Sequence, residues 1–290
     1  MSRNRSERPY WWQWFTILSL DATSVSLVWQ EWFARGLGIH LHVPERIVLG
    51  TSVWLAYTAD RWIEALRFDP NELQTQRHKF AARWRWPLFT SWVLIFVADV
   101  VLAFTRLSAR EIQIGFALLA AVGAYLLSHQ LYHRHHRWRL PKELCVGLLI
   151  TAGALLFPVA SPEANWPVLW MTVPHFVALC FVNCLLISGW EREVDVVHGQ
   201  QSLALEPQLD RAFRWVPLLP WLLALESAVL ATLAPPDFVR DPRWAHAFFG
   251  TIALSFALLG AVDRAETRIG RQLARALADV VLLTPFLFFW

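Results

Sequence analysis

The chain has 290 residues, 56% of them hydrophobic and 17% charged, with a formal net charge of +3. Soluble domains are about 25% charged, so this composition excludes an ordinary soluble globule and points to an all-α, polytopic membrane protein. The chain carries no Walker loop, dinucleotide fingerprint, haem attachment motif or nucleic-acid-binding signature, and no nucleic-acid partner is expected.

In chain order, the opening "MSRNRSERPYWWQW" is basic, but no small-residue cleavage site follows a short apolar core, so no removable signal peptide is expected. Apolar runs of roughly 17 to 25 residues can cross a bilayer as helices. Nine are expected, over positions 11–30, 44–66, 87–105, 111–132, 142–160, 167–189, 214–234, 244–262 and 273–289. Pro44, Pro87, Pro141 and Pro167 stand near helix starts, where a missing amide proton costs least. The runs are continuous and too long for strands. Eighteen Trp suit the lipid headgroup level. Cys145, Cys180 and Cys184 all fall in apolar runs and read as buried reduced thiols.

Loop arginines and lysines orient the spans. One side gathers Arg3, Arg5, Arg8, Arg61, Arg67, Arg77, Lys79, Arg83, Arg85, Arg134, Arg137, Arg139, Lys142, Arg192, Arg211, Arg214, Arg264, Arg268, Arg271 and Arg275. The other has only Arg35, Arg46, Arg106, Arg110, Arg240 and Arg243. The rich side is expected to be cytoplasmic and to hold the N-terminus, in what is expected to be a bacterial inner membrane. A single domain over 1–290 follows.

Two acidic stretches fall on that side, "WLAYTADRWIEALRFDP" at the end of the second span and "LLISGWEREVDVVHGQQSLA" at the end of the sixth. They lie four spans apart, which suggests a pseudo-repeat of four-helix units. Residues four apart share a helical face, pairing Asp60 with Glu64 and Glu191 with Asp195; Glu193 points elsewhere. Brought together, the four carboxylates would make an oxygen-lined site for Mg²⁺, an ion that also takes phosphate ligands. Arg61, Arg67, Arg77, Lys79 and Arg192 stand beside the pairs, and cations around such a site suit a diphosphate. Either stretch alone is also what a solvated helix end looks like, with Arg61 salt-bridging Glu64 or snorkelling. Two of them, at equivalent ends and on one side, favour a site.

Together these stretches resemble the UbiA superfamily of intramembrane prenyltransferases, with nine transmembrane helices and aspartate-rich motifs after the second and sixth. Against the first motif, Asn-Asp-x-x-Asp-x-x-x-Asp, the chain reads Ala56-Tyr57-Thr58-Ala59-Asp60-Arg61-Trp62-Ile63-Glu64. The leading Asn and Asp are replaced by Ala56 and Tyr57. In the second motif Ser188, Glu191, Glu193 and Asp195 take the acidic places, and Gly199 is kept with Gln200 where Lys is frequent. "TQRHKF" and "LPKELCVGLLITAG" look family-like, which makes Arg77 and Lys79, and more weakly Lys142, diphosphate ligands. The resemblance implies Mg²⁺-assisted transfer of an isoprenyl chain from a prenyl diphosphate to a small, aromatic acceptor. Catalysis falls to Asp60 and Asp195, the metal to Asp60, Glu64, Glu191 and Asp195, and the diphosphate to Arg61, Arg77, Lys79, Lys142 and Arg192. The missing acidic places keep open a non-catalytic lipid-diphosphate carrier or transporter on the same bundle. A phosphatidyl-type transferase would need D-G-x-x-A-R, which is absent.

Other ionisable groups lie in or near the spans, where they are functional candidates by default. Asp21 is the favoured one, set to orient an acceptor or take its proton, or else to pack beside an arginine; Glu226 is another. Asp99 and Asp279, both in "ADVV", read as packing residues. His129, His133, His135 and His136 match no zinc spacing and read as a cationic interfacial cluster. Asn183, between Cys180 and Cys184, suits an interhelical hydrogen bond.

Overall fold

The computed structural model describes residues 9–67, 76–128, 141–197, 202–233 and 242–289, without the side chains of Glu64, Ala65, Arg67, Arg77, His78, Val194, Asp195, Val197 and Pro242. The described residues form helices and no strand: α1 (Gln13–Ile17), α2 (Leu20–Leu37), α3 (Val43–Arg67), α4 (Gln76–Arg83), α5 (Arg85–Arg106), α6 (Ala109–Leu127), α7 (Lys142–Ala160), α8 (Trp166–Trp190), α9 (Arg192–Val197), α10 (Asp210–Phe213), α11 (Leu219–Leu233), α12 (Pro242–Ile269) and α13 (Arg271–Val281). Short 3₁₀ turns at Leu203–Leu205, Pro207–Leu209, Val216–Leu218 and Thr284–Phe288 complete the order. The histidine cluster at 129–136 lies outside the described residues.

Local chemistry sets the boundaries. Ser108 caps α6 through a reciprocal box with Glu111, and the Asn165 side chain accepts from the Val168 amide with Pro167 in the first turn of α8. Gly38 ends α2 at φ 69°, a left-handed conformation that costs glycine little.

Among the described residues, six helical segments are long and apolar enough to cross a membrane: α5, α6, α7, α8, α11 with its preceding turns, and α12. They coincide with the third to eighth expected spans. The other three expectations differ in character. The first span is broken, because Ser19 turns left-handed at φ 60° between α1 and α2. The second is one continuous helix, α3, but it carries Glu45, Arg46, Asp60, Arg61, Glu64 and Arg67. The last stops as an α-helix at Val281 and continues as a 3₁₀ turn. At 1.5 Å per residue α13 is only about 16 Å long, about half a hydrocarbon core.

Packing turns the usual arrangement inside out. On α5 only Asp99 is buried, while Leu94, Val97, Val101 and Phe104 are exposed. On α11, Leu222, Leu225 and Leu233 are exposed. An apolar exterior of this kind is suited to lipid. Helices α2, α7, α8 and α12 supply most of the core, with α3, α5, α6 and α11 packed around them and α13 lying against α12, α8 and α2.

At the end of the bundle away from the acidic stretches the core is aromatic. Trp29 stacks on Phe176 with centroids 4.1 Å apart, and Phe33 and Phe248 close round the pair. The Trp29 indole donates to the Leu282 carbonyl at 2.7 Å, and the Trp244 indole to the Trp32 carbonyl at 3.0 Å, so both polar edges are satisfied in an apolar setting. Gly36 permits this approach: a Cβ there would stand 2.0 Å from the Trp244 ring.

Asp99 sits at the seam of α5 with α3, hydrogen-bonded to Thr51 and, at 2.9 Å, to the Ser52 hydroxyl. That supports its reading as a packing residue.

Candidate functional site

Ionisable groups near the acidic ends of α3 and α8 lie within electrostatic reach of one another. Tyr57 lies a turn before Asp60 on α3 and is within electrostatic reach of Cys184 on α8, Asp21 on α2, Tyr125 on α6 and Asp279 on α13. Tyr125 in turn feels Asp60, Cys184, Cys145 and Glu143. Cys184 feels Asp279, Glu143 and Lys142. Six helices thus contribute ionisable groups to a shared interior region.

The second acidic stretch is clamped by the last helix. Arg275 pairs with Glu191, both about one-fifth exposed. One turn earlier, Arg271 donates to Glu193 at 2.7 Å. Arg271 holds the Glu193 carboxyl below the usual carboxylate range, first by that hydrogen bond and then by its charge. Trp190 at the end of α8 donates to Asp263 on α12 at 2.9 Å.

Asp60 is half-buried and within electrostatic reach of Tyr125, and Lys142, half-buried at the start of α7, is within reach of Cys184. Lys79 is exposed on α4, which packs against α3. Glu64, Arg77 and Asp195 lie on α3, α4 and α9, but their side chains fall outside the described residues.

Two expected diphosphate ligands have protein partners. Arg61 is buried, with its guanidinium on the carbonyls of Thr16 and Ile17 and 4.0 Å from Asp21. Because α1 ends at Ile17, the carbonyls of its last turn lack their helical partners; the Thr16 carbonyl also accepts from the Ser19 amide, and Arg61 caps both carbonyls across the helix seam. Arg61 and Asp21 thus join α1, α2 and α3, while the expected Arg61–Glu64 bridge involves a side chain outside the described residues. Arg192 pairs with Asp210 at 3.1 Å where both are exposed, an ion pair that water weakens.

Some residues that line or brace this region were not legible as such. Glu143 is fully buried in the first turn of α7. Its Oε1 accepts from the Leu203 amide at 3.1 Å, while Oε2 finds no hydrogen-bond partner among the described residues. In sequence it reads as an ordinary acidic residue at a helix start. Asp279 accepts from Asn183 at 3.3 Å and belongs to the interior region, so it is more than an isolated packing residue. Arg271 and Arg275 were visible only as two of many basic residues on one side. Their spacing of four is the one signal that they share a face. Glu226 lies 3.1 Å from His175, away from this space, where α8 meets α11.

Among the described residues no three His, Cys, Asp or Glu side chains gather as a metal site. The donor set is nevertheless of the hard oxygen kind that Mg²⁺ takes, and one or two carboxylates suffice when phosphate and water complete the shell. The sequence matches no protein-family model, and it matches no curated protein and no solved structure.

Proposed function

We propose that this chain is an intramembrane prenyltransferase of the UbiA type, moving an isoprenyl chain from a prenyl diphosphate to a small aromatic acceptor. The observation that carries the reading is that Tyr57, a turn before Asp60 on α3, lies within electrostatic reach of Cys184, two turns before Glu191 on α8, which supports bringing the two acidic ends together. On this reading Asp60 and Glu64 on α3, Glu191 at the end of α8 and Asp195 on α9 would hold Mg²⁺. A bound ion would withdraw charge from the diphosphate and make it a better leaving group. Lys79, Arg77 and Lys142 hold the diphosphate oxygens, and Arg192 joins them by exchanging Asp210 for phosphate. Arg61 braces the site through the α1–α2 break. The Trp29–Phe176 floor keeps water from the allylic centre, and donors already in place around it lower the barrier. Nine spans, a repeat of four-helix units, and a bacterial inner membrane with the site on the cytoplasmic face complete the proposal.

A second reading is favoured by Tyr57 standing at an acidic place and by the arginines on Glu191 and Glu193. It is a lipid-diphosphate binding protein or transporter without turnover. The purified chain, given a long-chain prenyl diphosphate and a panel of phenolic acceptors, separates the two. The transferase releases pyrophosphate only with Mg²⁺ and acceptor present. Mg²⁺-dependent binding without pyrophosphate from any acceptor favours the carrier, and absence of binding removes both.

A further inference from the structure

Helix α5 buries only Asp99 and turns its apolar side chains outward, so in a bilayer lipid surrounds it. Its 22 residues span about 33 Å, close to a hydrocarbon core of about 30 Å, which sets Arg85 and Arg106 at the two headgroup levels. On the arginine-rich side α4 turns into α5 through Arg83-Trp84-Arg85-Trp86. All four side chains are exposed, Trp84 by 47% and Trp86 by 65%. Arg192, Arg271 and Arg275, on the same side, each have a carboxylate partner. Arg83 and Arg85 have none among the described residues, and α4 and α5 hold no acidic residue before Asp99, which is bound to Thr51 and Ser52. The corner is also held in place. The Trp62 indole on α3 donates to the Arg85 carbonyl at 3.2 Å and stacks on Phe89 at 5.2 Å, while Phe80 on α4 meets Trp14 and Trp84.

Two guanidiniums without a carboxylate, at headgroup depth and flanked by indoles, suit an anionic phospholipid. A guanidinium takes phosphate oxygens through paired N–H donors, and an indole settles where acyl chain meets headgroup. A zwitterionic lipid carries the same phosphate but brings an ammonium that meets two cations and no acid. We propose that the 83–86 corner holds one anionic phospholipid of the arginine-rich leaflet, its phosphate on Arg83 and Arg85 and its glycerol region against Trp84 and Trp86. Trp62 stands between Asp60 and Glu64, so the bound lipid also steadies the helix that carries the first acidic stretch. The site is independent of the transferase reading.

The test is native mass spectrometry of the full chain released from detergent micelles, titrated with equal amounts of dioleoyl phosphatidylglycerol and dioleoyl phosphatidylcholine. The first lipid retained should be phosphatidylglycerol, bound about tenfold tighter or more, since each basic residue beside an anionic lipid contributes about fivefold. Arg83→Gln with Arg85→Gln should bring the two lipids to within about twofold. Arg83→Lys with Arg85→Lys should lower the preference in part, because an ammonium keeps the charge without the planar fork, and serves where the glutamine pair does not fold. Arg106→Gln with Arg110→Gln, at the opposite end of α5 and the start of α6, should leave the ratio unchanged. Equal retention of the two lipids, a preference unchanged in the folded 83/85 variants, or an equal loss in the 106/110 variant overturns the site. Displacement of phosphatidylglycerol by farnesyl diphosphate, one for one, overturns it as well and gives Arg83 and Arg85 to the diphosphate.

Discussion

Arg275 on α13 pairs with Glu191 at the end of α8, across 84 positions of sequence. The guanidinium therefore lies at the second acidic stretch, beside whatever anion those carboxylates recruit through a divalent ion. Arg275→Ala is expected to raise the donor KM about tenfold or more, and Arg275→Lys less, since an ammonium lacks the planar fork. Steady-state kinetics with varied prenyl diphosphate checks this. An unchanged KM with a lowered melting temperature would leave Arg275 a purely structural tie.

Arg61 makes the opposite prediction. Its guanidinium is used on the Thr16 and Ile17 carbonyls, with Asp21 at 4.0 Å. Arg61→Lys keeps the charge but reaches fewer carbonyls. The loss should be about 2 kcal/mol, typical of a buried hydrogen bond to a charged group. Thermal unfolding in detergent should show it as a fall in Tm, while the donor KM stays within about twofold because ground-state binding is untouched. A large KM increase at constant Tm would return Arg61 to the diphosphate.

The bond from Arg271 to Glu193 is exposed and pH-dependent. Arg271 depresses the folded-state pKa of Glu193, so the link is in place above the ordinary value of 4.5 and is lost as pH falls through the lower folded value. A carbon-13 carboxyl titration of labelled glutamate should place the Glu193 midpoint below 4.5. Arg271→Ala should move it back toward that value. A midpoint at or above it in the wild type would show the pair unformed in solution.

Gly36 is where α2 admits the Trp244 ring, with no room for a methyl group. Gly36→Ala should displace Trp244 from its bond to the Trp32 carbonyl and destabilise the bundle by about 1–3 kcal/mol, the usual cost of overpacking. Tryptophan fluorescence during thermal unfolding reads both effects. A variant as stable as the wild type would show that the ring can shift without loss.

Continuous apolar runs made the six long helices legible, and the expected fifth span, 142–160, falls on Lys142–Ala160 itself. The first and last segments were less legible because backbone conformation decides them. No residue type in "ILSLDA" announces the left-handed Ser19, and the Thr284–Phe288 turn follows an apolar run that looked like more helix. At the site the carboxylates could be read, because paired acids in an apolar chain stand out. Their partners could not: Arg275 for Glu191 and Thr16 for Arg61 are choices made by tertiary packing. Glu143 was hidden for a related reason, as its burial depends on the Leu203 turn, 60 positions away.

The central claim is that the acidic ends of α3 and α8 act together on one diphosphate. Mg²⁺-dependent pyrophosphate release by the wild type, Asp60→Asn and Asp195→Asn tests it most directly. Each substitution alone should lower turnover about a hundredfold or more, with Tm nearly unchanged. Full turnover in both folded variants would contradict the claim.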